Sequence, residues 1–370
     1  MNYRDTLFFI GKSLTIAKNN INKTKIEATL QDSKINWENV VRVSTAHYVL
    51  PAMYCNYKRV NFLNYLPKDL VAYMEHITNL NRERNEQIIT QAKEINELLL
   101  AHNITPIFLK GTGNLLEGLY EDIAERMVGD IDFIVNKNEY ARAQTILFEF
   151  GYKKVHKTTY DFPQFKHFPR LQKENRIAAI ELHKQLLKEE YASEFNFETV
   201  KKDIQKINAM SFLSFEHQLA LSVFAKQLND NGIQFKSIAL RNSYDTYLLS
   251  TKINTLNAVS KFDKLSNALN SYLAITSEVF ENPDSLLFHK NKSVDNYLND
   301  FYKYVENPEL NKKFIKKKAK ELFIKTRFDI LKKVVVRKEY RDWFFKRISD
   351  KKWQQEKLVQ LGLKKTKSNS

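Results

Sequence analysis

The sequence predicts an α+β protein, in which a small mixed β-sheet core with helices is flanked by helical regions on its N-terminal and C-terminal sides. Three observations support this fold class. Glycine and proline are scarce, at 8 and 7 of 370 residues, which favours helices over a turn-rich all-β fold. Hydrophobic residues make up 43% of the chain, which is enough for a packed core. Strand-like apolar runs are confined to residues 104–190, and helical patterns occupy the rest.

Residues 1–103 form the first predicted helical region. Apolar residues recur at spacings of three and four between Trp37 and Tyr57, and Pro51 kinks or restarts that helix. Residues 82–104 then predict one long amphipathic helix with a single apolar stripe.

The predicted α/β core spans residues 104–190. A short buried strand at Ile107–Leu109 is followed by a short helix, and residues 130–135 form a second strand. The next helix ends at Gly151, a typical C-terminal glycine. Two further strands are expected, at residues 152–158 and 176–186.

Helices return after the core, in a predicted helical domain at residues 191–310 and a basic helical segment with a tail at residues 311–370. The latter holds 21 Lys and Arg against 6 Asp and Glu, a net charge of +15, so the other 310 residues contribute about +1 of the total +16. Such a segment could contact phosphates on RNA or an anionic membrane surface. A solubilising helical tail, or helices that pack their aromatic residues on the protein body, remain alternatives.

The single cysteine, Cys55, cannot form an intrachain disulfide, and its expected role is structural. The N-terminus fits no secretory signal, and no apolar run reaches the roughly 20 residues of a membrane span. The sequence therefore predicts a cytoplasmic protein without a transmembrane segment.

Two aspartates stand at the start of the second strand. Asp130 and Asp132 lie two residues apart, so their side chains are expected on one face of the strand. Buried carboxylates are costly unless they are paired, and paired carboxylates suit hard cations such as Mg²⁺. They can bracket two metal ions about 3.5–4 Å apart, as in phosphoryl and nucleotidyl transfer. A cap or an exposed loop would explain the same two residues.

Neighbouring residues favour the metal interpretation. Lys110, Gly111 and Thr112 open the helix after the first strand, where free N–H groups attract anions. Glu181 interrupts an apolar strand and would add a third carboxylate if that strand lies beside residues 130–135; a solvent-facing edge position is the alternative. His183 shares its strand face and is expected to be a structural hydrogen-bonding residue.

The order of these motifs resembles the polymerase-β-type nucleotidyltransferase superfamily and, within it, the bacterial family of uncharacterised nucleotidyltransferases. Members of that family typically read LLKG, LY, R, GDIDLLV, LGF and ELH. The corresponding segments here are FLKG at Phe108–Gly111, LY at Leu119–Tyr120, Arg126, GDIDFIV at Gly129–Val135, FGY at Phe150–Tyr152 and ELH at Glu181–His183. Looser matches at Trp37, Val49–Tyr54, Glu216–Ala225 and Leu240–Asp245 extend the resemblance over about residues 35–250.

The resemblance implies the site and its cofactors. Two Mg²⁺ ions would be held by the catalytic carboxylates, and a nucleoside triphosphate such as ATP would be the substrate. Lys110-Gly111 departs from the Gly-Ser phosphate loop of the superfamily. The assigned residues are Asp130, Asp132 and Glu181 for catalysis and metal binding, and Lys110, Gly111, Thr112 and Arg126 for nucleotide binding. Arg126 could neutralise phosphate charge or form a structural ion pair.

Three functions follow from this interpretation. The protein would transfer a nucleoside monophosphate to a hydroxyl of a small molecule, or to RNA or protein gripped by the basic C-terminal segment. Alternatively, it would be a catalytically inactive scaffold that binds nucleotide or RNA. The intact carboxylates Asp130, Asp132 and Glu181 favour an enzyme, because an inactive relative is expected to have lost at least one of them.

Overall fold

A computed structural model describes residues 1–32, 34–155, 162–163 and 166–360 and confirms the predicted α+β fold. Its helices are α1 (Tyr3–Ser13), α2 (Asn20–Gln31), α3 (Trp37–Ala46), α4 (Leu50–Arg59), α5 (Lys68–Ala101), α6 (Lys110–Glu117), α7 (Tyr140–Glu149), α8 (Phe197–Val200), α9 (Phe215–Phe224), α10 (Gly232–Phe235), α11 (Leu240–Ser250), α12 (Thr255–Ser260), α13 (Ser266–Val279), α14 (Lys292–Glu306), α15 (Pro308–Val336), α16 (Lys338–Ile348) and α17 (Lys351–Gln360). A π-helical turn, Ala225–Asn229, continues α9.

Seven strands form one mixed sheet in the order β3-β4-β5-β2-β1-β7-β6. The central strand β2 pairs in parallel with β5 and antiparallel with β1. The strands are β1 (Ile107–Phe108), β2 (Asp130–Ile134), β3 (Lys153–Lys154), β4 (Leu171–Gln172), β5 (Ala179–His183), β6 (Gln205–Ile207) and β7 (Met210–Phe212).

Sequence analysis missed β4, β6 and β7, because runs of two or three residues are too short to show a strand period. Strands β6 and β7 lie after residue 190, in the stretch predicted as a helical domain, and β7 pairs in parallel with β1. The division of the chain at residues 103, 190 and 310 stays a prediction, and this pairing favours a later end to the core. Residues 156–158 of the expected strand at 152–158, and the tail after residue 360, lie outside the described residues.

The long helix α5 positions the sheet through buried amide side chains. Asn85 Nδ2 donates to the carbonyls of Ile123 at 2.6 Å and of Arg126 at 2.8 Å. Gln91 donates to the carbonyl of Ala178 at 2.9 Å and accepts from its N–H at 3.1 Å. Ile123 and Arg126 lie in the segment before β2, and Ala178 immediately precedes β5, so α5 holds the backbone that leads into both central strands.

The C-terminal helices α15 to α17, residues 308–360, are called the basic arm below. None of the side chains of α15 is buried, whereas α16 buries Tyr340 and Trp343, which pack edge-on against Phe162. For these two aromatic residues the predicted packing on the protein body is confirmed. Across the described part of the chain, each helix is either too short or too polar to cross a lipid bilayer.

Candidate active site

The pairing of β2 with β5 brings two acidic side chains together. Asp132 and Glu181 are direct neighbours in the parallel register, so their side chains project from the same face of the sheet. The strand of Glu181 therefore lies beside the Asp-x-Asp strand, as expected. Ligand-type atoms of Asp132, Glu181 and His183 all lie within 4.8 Å of one another, and all three residues are buried.

Lys110 lies between these two carboxylates. Its Nζ is 2.6 Å from Asp132 Oδ1 and 3.8 Å from Glu181 Oε2. Burial raises the pKa of Asp132, but the charge of Lys110 and a hydrogen bond with His183 outweigh it, and the pKa lies below its usual value. Burial also raises the pKa of Glu181, and contacts with His183 and Lys110 again lower it overall. Both carboxylates are therefore ionised at neutral pH.

The backbone of Lys110 has a φ of +54°, in the left-handed region that side chains other than glycine rarely adopt. Such a conformation costs about 1–3 kcal/mol. The ion pairs with Asp132 and Glu181 offset this cost: although burial lowers the pKa of Lys110, the two carboxylates raise it overall. Strained residues of this kind are typical of functional sites.

Asp130 lies at the rim of the cluster, where Arg170 connects it to Glu181. Arg170 Nη2 is 2.8 Å from Asp130 Oδ2, and Arg170 Nε is 2.8 Å from Glu181 Oε1. Burial raises the pKa of Asp130, and the negative charges of Glu181 and Asp132 add to this effect against the charge of Arg170. Sequence analysis did not identify Arg170, because it belongs to no recognisable motif.

His183 makes the hydrogen bonds expected of a structural residue. Its Nε2 is 2.8 Å from Asp132 Oδ1, and its Nδ1 is 3.2 Å from the carbonyl oxygen of Gln185. Metal-binding histidines commonly donate their second ring N–H to a backbone carbonyl in this way. His183 therefore suits a ligand position as well.

The start of α6 packs tightly against the sheet and Arg126. Thr112 Oγ1 donates to the carbonyl of Asp130 at 2.7 Å, so the threonine hydroxyl connects α6 to β2. A Cβ added to Gly111 would lie 3.0 Å from Arg126 Nη2, and one added to Gly113 would lie 2.8 Å from the carbonyl oxygen of Phe108. Both glycines allow the helix N-terminus to approach these groups closely.

Arg126 forms a buried ion pair, one of the two roles that the sequence left open. Its partner is Asp245 in α11: Nε lies 2.9 and 3.0 Å from the two carboxylate oxygens, and Nη2 lies 2.9 Å from Oδ2. Nη1 donates to the carbonyl of Met127 at 2.8 Å. Because the guanidinium also contacts Gly111, Arg126 lies at the start of α6, where its predicted contact with phosphate remains a prediction.

A second guanidinium, that of Arg241, lies beside Arg126. Arg241 Nη1 is 3.4 Å from the carbonyl oxygen of Met127, and its Cζ is 4.8 Å from the centre of the Tyr48 ring. Among the described residues, no carboxylate pairs with Arg241 within ion-pair distance. Burial lowers the pKa of Arg241 and the charge of Arg126 lowers it further, yet guanidinium stays protonated at neutral pH. Sequence analysis did not single out this residue, although it lies in the matching segment Leu240–Asp245.

The donor set of the cluster fits a divalent cation. Two carboxylates within one cluster, with a third beside them, are the ligands that hard cations prefer. In this structure Lys110 and Arg170 are the positive partners of these carboxylates. A divalent cation would be an alternative partner for the same oxygens. Asp132, Glu181 and His183 are the residues that could hold the ion directly, with Asp130 adjacent.

Together, the mixed sheet, its carboxylate cluster and the adjoining helix N-terminus define an α+β protein with a candidate metal-dependent site for phosphate chemistry. Residues 33–275 match the family model described as uncharacterised nucleotidyltransferase, and the chain belongs to that family. The match confirms the resemblance seen in the sequence motifs. Comparisons with curated proteins and with solved structures give no match.

Proposed function

We propose that the protein is a Mg²⁺-dependent nucleotidyltransferase that moves a nucleoside monophosphate from a nucleoside triphosphate to an acceptor hydroxyl. The observation that carries this proposal is that Asp132 and Glu181 are direct neighbours on adjacent strands, with Asp130 on the same face of β2. The chain also belongs to a nucleotidyltransferase family. A scaffold that only binds nucleotide would not need three carboxylates at one sheet position.

In the proposed reaction, the acceptor oxygen forms a bond to the α-phosphorus. The bond between the α-phosphorus and the oxygen that bridges to the β-phosphorus breaks, and pyrophosphate leaves. Glu181 or Asp132 accepts the hydroxyl proton, because Lys110 keeps both carboxylates in the ionised form. A bound divalent cation would supply Lewis-acid stabilisation of the phosphate charge and activate the hydroxyl.

The triphosphate is proposed to lie at the start of α6. Backbone N–H groups at a helix N-terminus attract anions, and the missing side chain of Gly111 lets the guanidinium of Arg126 approach this end of the helix. Lys110, Arg126 and Arg241 contribute three positive charges around this position. Arg241 supplies a charge that no described carboxylate pairs with, so it is the best placed of the three to contact phosphate without losing an existing ion pair.

A labelled-nucleotide experiment tests this function. The purified protein is incubated with Mg²⁺, a cell extract and nucleoside triphosphates labelled at the α-phosphate. We expect labelling of one acceptor fraction, loss of labelling with a chelator, and at least about a 100-fold loss in Asp130→Asn/Asp132→Asn, since removing one preorganised electrostatic group already costs about 10²–10³ in rate.

The matched control is Asp284→Asn/Asp295→Asn, which makes the same change at two exposed aspartates away from the sheet. It should label like the wild type. Equal labelling by the wild type and the Asp130/Asp132 variant would show that the site assignment is wrong. A wild type that binds nucleotide but labels nothing would favour the inactive scaffold.

A further inference from the structure

The basic arm exposes both its charges and its aromatic rings. Phe323 is 58% exposed and Phe328 is 61% exposed, and lysines and arginines surround them on α15. An isolated exposed phenylalanine is ordinary, but a helix of 29 residues without one buried side chain has no structural reason to carry several exposed apolar residues. The arm therefore has the properties of a binding surface.

The junction of α15 and α16 is attached to the rest of the protein by ion pairs and aromatic contacts. Lys333 Nζ lies 2.6 Å from Glu189 Oε2, and Arg337 pairs with the same carboxylate. In α16, Tyr340 donates to the carbonyl of Pro163 at 3.4 Å, next to the aromatic contacts with Phe162. These contacts hold the junction of α15 and α16 against residues 162–163.

Lys166 and His167, which come soon after Pro163 in the sequence, interact with residues of the carboxylate cluster. Lys166 follows Pro163 by three residues, at most about 11 Å between Cα atoms. The charge of Lys166 interacts with those of Lys110, Glu181 and Asp132, and burial lowers its pKa. His167 Nε2 lies 3.9 Å from Glu181 Oε2. The junction of α15 and α16 thus contacts Pro163, three residues before Lys166, whose charge interacts with the carboxylate cluster.

The distribution of side chains along α15 favours a nucleic acid over a membrane. Lys320, Ile324, Arg327 and Leu331 follow at intervals of four, three and four, so cations and apolar residues alternate on one helix face. An interfacial membrane helix needs its apolar residues on one face and its charges on the other. Single-stranded nucleic acid instead requires cations for phosphates next to flat apolar groups on which bases stack.

Cations already lie over aromatic rings on the arm. Arg327 Cζ is 4.4 Å from the centre of the Phe323 ring, and Arg347 Cζ is 4.9 Å from that of Trp343 and 5.0 Å from that of Trp353. At Phe323, which is exposed, a base can stack while the guanidinium of Arg327 contacts the neighbouring phosphate. The net charge of +15 over residues 311–370 complements a polyanion.

From these observations we propose that the basic arm binds single-stranded nucleic acid and presents its terminal hydroxyl to the carboxylate cluster as the acceptor. This inference rests on the proposed function. The terminal oxygen would form the bond to the α-phosphorus, pyrophosphate would leave, and the strand would be longer by one nucleotide.

Fluorescence anisotropy with labelled oligo(U) and oligo(dT) tests the binding step. Strands of about 20 nucleotides exceed the roughly 4–16-nucleotide sites of single-strand-binding modules. For the triple variant Lys320→Gln/Arg327→Gln/Lys332→Gln, we expect at least about tenfold weaker binding. The slope of log K against log salt concentration should become smaller in magnitude by about 2, because each phosphate contact to a single strand contributes about 0.7 to that slope. Preference for oligo(U) over oligo(dT) would identify RNA as the acceptor, and the reverse would identify DNA.

Two further variants separate specific binding from general attraction. Lys68→Gln/Lys93→Gln/Lys206→Gln removes the same charge from exposed lysines on α5 and β6 and should bind like the wild type. Phe323→Ala/Phe328→Ala should weaken binding at least about tenfold with an unchanged salt slope, because stacking contributes about 1–3 kcal/mol per base without counterion release.

Three outcomes would overturn the inference: unchanged oligonucleotide binding in the arm variants, an equal loss in the matched lysine control, or binding to phosphatidylserine vesicles without binding to either oligonucleotide. Labelling of a small-molecule or protein fraction, with oligonucleotides left unlabelled, would also refute the acceptor role while the proposed function stands. Conversely, arm-dependent oligonucleotide binding without labelling of any acceptor would contradict the proposed function and leave the binding role of the arm.

Discussion

The carboxylate cluster and the basic arm handle charge in opposite ways. In the cluster, Asp132 and Glu181 are buried, and Lys110 lies within 4 Å of both. In the arm, α15 buries no side chain, and its lysines and arginines are spread around the helix. The same residue types therefore occur in the cluster, where each charge needs a charged partner, and on the arm, where hydration by water stabilises the charge.

This difference follows from desolvation. A buried charge loses several kcal/mol of hydration, which a partner must restore, whereas an exposed charge keeps its hydration and interacts weakly through water. The cluster is thus organised to hold its charges in one arrangement, and the arm keeps its charges available to a partner. Removal of a single charge should therefore lower the free energy of unfolding strongly near the sheet and only slightly on the arm.

The largest effect is expected for the buried pair of Arg126 and Asp245, whose side chains are 7% and 2% exposed. Asp245→Ala leaves the guanidinium buried without its partner and should lower the free energy of unfolding by about 3–5 kcal/mol. Urea denaturation measures this loss. The double variant Arg126→Met/Asp245→Leu removes both charges and should regain most of the stability. If Asp245→Ala lowered the free energy of unfolding by less than about 1 kcal/mol, the proposed contrast between buried and exposed charges would be wrong.

A smaller effect is expected for Glu117 in α6, a partly buried carboxylate that forms no ion pair with any described residue. Burial raises its pKa to about 7, although Gln218 donates a hydrogen bond to it at 2.7 Å. Its pKa is higher in the folded than in the unfolded state, so the folded state binds more protons between about pH 4.5 and 7, and stability falls as the pH rises through this range.

Glu117→Gln removes this pH-dependent loss. At pH 8 the variant should be more stable than the wild type by about 1–2 kcal/mol, after allowance for solvent screening of a partly exposed group, and the difference should vanish near pH 4.5. Denaturant titrations at several pH values measure it. Glu83→Gln, at an exposed position of α5, is the control and should show no such trend. A difference that is constant from pH 4.5 to 8 would exclude the titration of Glu117 as its cause.

The smallest effect is expected on the arm itself. Lys318 pairs with Glu321 three residues later on α15, at 2.7 Å, with side chains 28% and 48% exposed. Lys318→Ala should change the free energy of unfolding by less than about 0.5 kcal/mol, because solvent screens such pairs. If chemical denaturation showed a loss above about 1 kcal/mol, the arm charges would be structural, and the contrast with the cluster would fail.

Much of the core could be predicted from local patterns. The apolar run with Asp130 and Asp132 at its start identified β2, and the interrupted run around Glu181 identified β5, because each pattern lies within a few residues. The buried amides of α5 could not be predicted in this way. Asn85 and Gln91 look like ordinary polar residues in a helical pattern, and only packing shows that they hold the backbone before β2 and β5.

By itself, the sequence determined the mixed α+β class, the carboxylate motif, the family and the location of the positive charge in the last sixth of the chain. Only the tertiary structure decided that Lys110 lies between Asp132 and Glu181, that Arg126 pairs with Asp245, 119 residues away, and that Lys333 of the basic arm pairs with Glu189. The physical reason is distance along the chain. Periodicity and turn chemistry act over a few residues, whereas the pairing of buried charges depends on which distant segments the core packs together.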